Sequence, residues 1–533
     1  MARYIKDNFY WWMSEDDVLG WPDKYLYSDW LDVNWNSNYI QLANAPVEAI
    51  DTWSEIADYL MTVSSSTFWT QPNVLAFTDS WIFRDDTVWA IEWNVWKEAN
   101  FVIWDTMYFV KNNWNTAVFT LYSEPVDSML TSWSPVLTVV TTAWRLGLNY
   151  LWVYNAWTAY VINDAVSYWG QDYKCIQAWT WKTPDVYPNY WDLIPVGAMA
   201  TNNTYFNNWV TVLWDIAYIW LGDKITRFQP TAWNEVATYD IFWDEIIFVS
   251  YVWGYFRVYT KTWKLMLWDW NTVGITESID LKLPLEAWYQ IWNIDYLYSW
   301  LTWGQTGLYY MSGYDLVPLF KQNTSNQIWE QKFYFSTSNN KTPMANYWAT
   351  LFGHTDNSWN ERVFGFGKHI EWLPNAYFEL PKYSSYGLEY IATRSLTVMW
   401  SYLFYAFNDW TNKWVDKVLI SNSDTIKTKE WTLITNVNPL WAWLYKKTSK
   451  YIYFKVWNVD ADRTIEVQIS YDWWAYTSLG TITEQPLDNI VRLPVQWDFR
   501  DYSIKFILAT TLSTITSPKI YYWYAFDYEQ HDI

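Results

Sequence analysis

The chain has 533 residues, 51% hydrophobic and 17% charged, enough for about three or four domains and too apolar for general disorder. Its 35 Lys and Arg against 56 Asp and Glu give a formal charge of −21, which repels nucleic acid and anionic lipid. The single cysteine, Cys175, excludes an internal disulfide framework and any multi-cysteine metal site.

Tryptophan occurs 49 times and glycine only 15 times, whereas an average protein has about 7% glycine. Many of the indoles stand where a turn asks for a residue tolerating positive φ: Asn34-Trp35-Asn36, Asn113-Trp114-Asn115, Asp269-Trp270-Asn271, Asp409-Trp410-Thr411 and Asp472-Trp473-Trp474-Ala475. A gene that reads UGA as glycine, translated with a table that reads UGA as tryptophan, produces this pattern. On that reading most exposed tryptophans are turn glycines and not sugar platforms. The alternative is a genuine tryptophan-rich surface.

At the start, residues 1–8 lack the apolar stretch of a secretory signal, and no run of about 18 apolar residues follows anywhere. Neither export nor membrane insertion is therefore expected, and release by lysis as part of a virion fits a protein acting on an outside surface. The opening Phe9-Tyr10-Trp11-Trp12-Met13-Ser14-Glu15-Asp16, with Leu19-Gly20-Trp21-Pro22 and Asp29-Trp30-Leu31-Asp32-Val33, resembles the start of phage tail proteins with a β-propeller, if Trp11, Trp12 and Trp30 are taken as glycines.

Residues 47–63 carry Ile50, Trp53, Ile56, Ala57 and Leu60 at helical spacing, which predicts one short helix. Elsewhere short alternating segments such as 211–219 and 246–251, separated by turn residues, predict antiparallel strands. Residues 261–272 have the form of two consecutive blade strands, with Trp263 and Trp270 at glycine places. Similar units at 101–121, 214–228, 296–319 and 398–421 predict a degenerate β-propeller, which protects strand edges by radial repetition. A string of β-sandwiches is the competing arrangement.

Inserted in this series is the most specific motif of the chain. It runs Tyr154-Asn155-Ala156-Trp157-Thr158-Ala159-Tyr160, Asn163-Asp164-Ala165-Val166-Ser167-Tyr168, Gly170-Gln171-Asp172-Tyr173-Lys174-Cys175, Pro184, and Tyr190-Trp191-Asp192-Leu193-Ile194. It resembles the type-3 chitin-binding fold, a small carbohydrate-binding module. Tyr154 takes the opening aromatic of that pattern, Trp157 a glycine slot and Tyr160 the first tyrosine. Asp164 and Val166 take the Asp and second Val, and Tyr168, Gly170, Tyr173 and Trp191 the remaining places. Asn163 replaces a usual glycine, and Trp169 stands where a small or polar turn residue is common. The resemblance implies sugar binding by Tyr154, Tyr160, Tyr168, Tyr173 and Trp191, since aromatic faces stack on pyranose C–H faces. Several of these rings equally suit the hydrophobic centre of a domain this small. Trp179 and Trp181 flank a loop suited to binding aromatics, but are also candidate misread glycines.

From about residue 455 the texture becomes that of a compact sandwich, with hairpin-forming segments at 463–476, 501–508 and 517–522. The expected division is 1–62 as an arm with a short helix, 63–150 and 199–454 as propeller, 151–198 as the inserted module and 455–533 as a C-terminal β-sandwich.

His354, His369 and His531 lack carboxylates or thiols at metal-ligand spacing, and nucleophile elbow, phosphate loop and zinc-protease motifs are missing. Acid pairs such as Asp240 with Asp244 and Glu245, or Asp460 with Asp462, would suit a glycosidase in principle, but read better as turns. The expectation is a non-enzymatic phage tail or adsorption protein without catalytic residues, metal or cofactor. Its expected partners are host-surface polysaccharide and other tail proteins, in multiple copies per particle. A secreted polysaccharide hydrolase with a binding module, or a bacterial surface adhesin, is the alternative.

Overall fold

The computed structural model describes residues 2–6, 25–29, 42, 44–66, 71–78, 80–93, 99–113, 118–132, 135, 138–145, 148–162, 164–169, 171–194, 210–221, 224–230, 235–239, 242–252, 254–269, 274–282, 285–291, 294–301, 305–323, 345–347, 350–357, 360–368, 375–379, 384–386, 388, 395–408, 411–420, 430–436, 446–449, 451–471, 475–495, 498–499, 502–511 and 516–531. The fold is all-β, built from small antiparallel sheets, most of them four-stranded meanders of the propeller-blade type. Among the described residues no helix is long and apolar enough to cross a membrane. The motif at the N-terminal end, apart from Asp29, and the turn tryptophans Trp35, Trp114, Trp270, Trp410, Trp473 and Trp474 lie outside the described residues.

The chain divides into two compact units. The one spanning 52–321 and 336–343 is a succession of meanders. The first joins Tyr59–Val63, Asn73–Phe77, Trp81–Arg84 and Glu92–Trp93. The second joins Ala99–Ile103, Thr106–Asn113, Val118–Pro125 and Thr138–Arg145, and its sheet continues into the inserted module. Three more follow, opening with Val210–Leu213, Ile246–Val252 and Leu285–Ile291.

Burial within a blade explains why its strands read as they do. In the fourth meander, Ile246–Val252 and Lys264–Trp268 are apolar and buried on both faces, so they appear as continuous hydrophobic runs. Its last strand, Ile275–Asp280, is mostly exposed and correspondingly polar. Phe101, Tyr108, Phe228, Tyr218, Phe256 and Trp268 belong to the shared core between successive meanders. A polar tie joins the fourth and fifth sheets: Ser250 Oγ, Tyr259 Oη and Arg257 Nη1 all donate to Oδ2 of the fully buried Asp295, at 2.8, 2.7 and 3.2 Å.

The local structure departs from the sequence expectation in its helices. The helix expected over 47–63 is instead a strand, Val47–Asp51, a turn closed by Glu55 N–H donating to Thr52 O at 2.9 Å, and a second strand, Tyr59–Val63. Ile50, Ala57 and Leu60 are buried as expected, but the turn at Trp53 and Ser54, both with positive φ, breaks any helical path. The described helix is Val126–Thr131, a single connection packed through Val126, Met129 and Leu130. Buried Arg84 donates to Met129 O at 2.8 Å and Ser132 O at 3.2 Å, supplying a cation to carbonyls at its C-terminal end.

The other unit, 1–51, 322–335 and 344–533, holds two four-stranded sheets and the sandwich. One sheet consists of Leu396–Met399, Tyr402–Asn408 and Lys413–Leu419, and takes Val47–Asp51 as its fourth strand. A strand from early in the chain thus completes the last meander. Within it, the buried Asp416 accepts hydrogen bonds from Ser385 N–H and Oγ and from Trp414 Nε1, at 2.9, 2.6 and 2.8 Å.

The sandwich pairs a six-stranded with a five-stranded sheet. Tyr451–Trp457 and Arg463–Tyr471 alternate buried and exposed along their length, and Phe454 meets Phe506 of the facing sheet at 5.6 Å. It begins before residue 455, because Glu430–Asn436 and Lys446–Ser449 are strands of its sheets, as are Ala2–Lys6 and Tyr25–Asp29 of the expected N-terminal arm.

Candidate functional site

The module grows from the edge of the second meander. Leu148–Val153 pairs with the end of Thr138–Arg145, then runs parallel to Asp164–Tyr168, which forms a hairpin with Gln171–Cys175; Trp191–Ile194 pairs with the far side. Residues 176–190, between the last two strands, form a long connection held by turns.

The five aromatics singled out from the sequence do come together, but as an interior. Tyr160 and Trp191 are each 3% exposed and Tyr173 9%, clustered with Val166 and Cys175, while Tyr154 and Tyr168 pack half-buried against them. Tyr154 stacks on Tyr160 at 5.5 Å and meets Tyr168 edge-on at 5.4 Å; Tyr160 meets Trp191 at 5.0 Å. Tyr160, Tyr173 and Trp191, buried this deeply, present no face to a pyranose. Their polar ends shape the surface instead. Tyr160 Oη accepts from Asn155 N–H at 2.7 Å and donates to Asn155 O at 3.0 Å, and Trp191 Nε1 donates to Lys182 O at 2.8 Å. Buried Asp164 accepts from Val161 N–H at 2.7 Å, which gives the motif's aspartate a turn-forming role. Cys175 is buried, its thiol pushed up by that burial, with Sγ donating to Gln177 O at 3.2 Å. Asn163 and Gly170 lie outside the described residues.

What the module does present to solvent is an open depression of about 550 Å³ lined by Trp179, Thr180, Trp181, Lys182 and Tyr187. Lys182 Nζ lies 4.0 Å from the Tyr187 ring centre, and 5.4 and 5.5 Å from those of Trp179 and Tyr190, so cation–π attraction holds it among the rings. The Trp191 bond to the Lys182 carbonyl fixes the backbone beneath. An aromatic side chain, a hydroxyl and an ammonium on one concave face are the groups a sugar needs for stacking and for hydroxyl hydrogen bonds. Sequence reasoning missed Lys182 and Tyr187. The available signal was their place on a strand-free connection carrying Pro184 and Pro188, the kind of loop that bears binding residues on a rigid support.

The acids considered for catalysis close turns. Asp244 accepts from Thr262 Oγ1, from Thr262 N–H at 3.1 Å and from Glu245 N–H at 2.9 Å, while Glu245 pairs with Lys261 at 2.7 Å. Asp460 is bound by Arg463 and by Asp462 N–H at 3.0 Å. His354 and His531 lie on strands Thr350–Asn357 and Lys519–His531; His369 and Asp240 fall outside the described residues. Among the described residues no three His, Cys, Asp or Glu side chains converge as a metal site.

No family model matches the chain, and no curated protein matches it either. Among solved structures it is similar to Raptor of Chaetomium thermophilum, with a TM-score of 0.38 and 9% identity over 72% of this chain, which spans only 29% of that one. The computationally designed Ika8 protein gives a TM-score of 0.36 and 7% identity, over 74% of this chain and 96% of that one. The AfRom2 CNH domain gives 0.35 and 11%, over 71% and 98%. These likenesses bring no function to this chain.

Proposed function

We propose that this chain is a non-enzymatic structural protein of a phage tail or adsorption apparatus whose 151–198 module holds host-surface glycan. The observation that carries the glycan reading is the depression on that module, where exposed Tyr187 and half-buried Lys182 lie beside a packed tyrosine and tryptophan core. The likeness of the motif to type-3 chitin-binding modules supports the same ligand class, and the likeness of the N-terminal motif to phage tail proteins supports the particle. One small concave face buries little area, so each copy binds weakly and several copies on a particle supply avidity.

The test is binding of the full-length chain to soluble chitin-derived and peptidoglycan-derived oligosaccharides. Saturable binding that is lost in Tyr187→Ala and in Lys182→Ala supports the reading; absence of binding to every such oligosaccharide refutes it. The particle assignment is tested separately, by finding the chain among the proteins of purified virions.

A further inference from the structure

The geometry points to glycine, not tryptophan, at Trp53, Trp104, Trp169, Trp181, Trp214, Trp263 and Trp400 in the protein as its own ribosomes make it, UGA being read there as glycine. The described residues contain eleven non-glycine positions with positive φ, and these seven are among them, at φ between 51° and 74°. Tryptophan is 49 of 533 residues, so composition alone places about one of the eleven. In this backbone region Cβ crowds the neighbouring carbonyl, a cost that glycine escapes and asparagine partly offsets. Asn458 and Asn489, two of the remaining four, fit that rule; a bulky indole does not.

The hairpins make the same point by comparison. Ile103 pairs with Thr106, Tyr168 with Gln171, Leu213 with Ile216 and Met399 with Tyr402, each leaving a two-residue loop whose first residue is Trp104, Trp169, Trp214 or Trp400. Between the strands Gln305–Ser312 and Asp315–Asn323 the same slot holds Gly313, at φ 62°. A Cβ placed on Gly313 meets nothing within 4 Å, so backbone conformation and not lack of room sets the requirement. Trp263 ends a three-residue loop between Tyr255–Thr260 and Lys264–Trp268, the place where such loops take a left-handed glycine.

A second population of tryptophans behaves oppositely. Trp191, Trp268 and Trp414 lie on strands with ordinary φ and are buried, and the indole N–H groups of Trp191 and Trp414 donate to Lys182 O and Asp416 Oδ1. The seven are all exposed, from 41% at Trp53 to 87% at Trp169. One codon misread and one read correctly give two such classes; a surface selected for indoles gives no reason for the φ split. This inference stands apart from the glycan reading, although it removes the Trp181 ring from the depression and leaves Tyr187 and Lys182 in place.

Peptide mapping by mass spectrometry, on the protein isolated from its native source, reads each position. Expected is glycine at all seven and tryptophan at 191, 268 and 414, with UGA codons at the first set and UGG at the second. Tryptophan in the native peptides covering Trp104, Trp214 and Trp400, or UGG at those codons, overturns the inference.

Discussion

The Tyr259 hydroxyl donates a 2.7 Å hydrogen bond to the carboxylate of Asp295, which belongs to the next four-stranded sheet and is fully buried. Burial pushes Asp295 above the ordinary carboxylate range, against the pull of its bonds from Tyr259, Ser250 and Arg257. Further polar ties join the same blades, as where Gln290 Nε2 donates to Tyr251 O at 2.8 Å. Tyr259→Phe removes one donor to a buried acid and is expected to cost about 1.5–3 kcal/mol in urea unfolding. Asp295→Ala removes the acceptor of three hydrogen bonds, leaving the Ser250 and Tyr259 hydroxyls and part of Arg257 without it, and is expected to cost about 3–5 kcal/mol.

The left-handed hairpin positions make a stability prediction on the sequence as it stands. Trp104→Gly, Trp214→Gly and Trp400→Gly each relieve a conformation costing about 1–2 kcal/mol, so each raises the unfolding midpoint, and the three together raise it additively. Trp268→Gly, which empties a core site beside Tyr218, Tyr239 and Phe256, is expected to lower stability by at least about 3–5 kcal/mol. Denaturant titration of the four variants reads both signs.

These two tryptophan classes also set how far the sequence could be read. The hairpin texture from Arg463–Tyr471 onward was legible because that strand buries mainly one face, and the sandwich followed from it, but its expected start at 455 falls inside the strand Tyr451–Trp457. The blade strand Ile246–Val252 was found through an alternation read at 246–251 that its burial does not follow, because both of its faces are buried. At 47–63 the apolar spacing imitated a helix because the turn residue Trp53 reads as another apolar position, whereas a glycine there would have marked the turn. In the module, the five aromatics were identifiable as a cluster, but a sequence cannot say which rings fill a core and which face water. Lys182 and Tyr187 escaped because their place at the depression depends on the path of a connection with no periodic signal.

Asp416 gives the sheet completed by Val47–Asp51 a pH dependence. Burial raises its carboxyl to about 6, with the hydrogen bonds from Ser385 and Trp414 opposing that rise and the Glu48 charge adding to it. Between about pH 4 and pH 6 the folded chain holds a proton that the unfolded chain has released, so stability falls as pH rises through this window. The expected loss is on the order of 3 kcal/mol. Asp416→Asn removes this slope while lowering stability at every pH, because its amide meets donors that need an acceptor. Urea unfolding between pH 4 and pH 7, with and without the substitution, measures both effects.

The glycan-binding claim turns on the outward face of the module and not on its buried rings. Its most direct measurement is calorimetric titration of chitin-derived oligosaccharide into the full-length chain and two variants, Tyr187→Ala and Trp181→Gly. Loss of binding in Tyr187→Ala, with binding retained in Trp181→Gly, is the result predicted here. Binding indifferent to Tyr187, or no binding by the unsubstituted chain, would contradict the account.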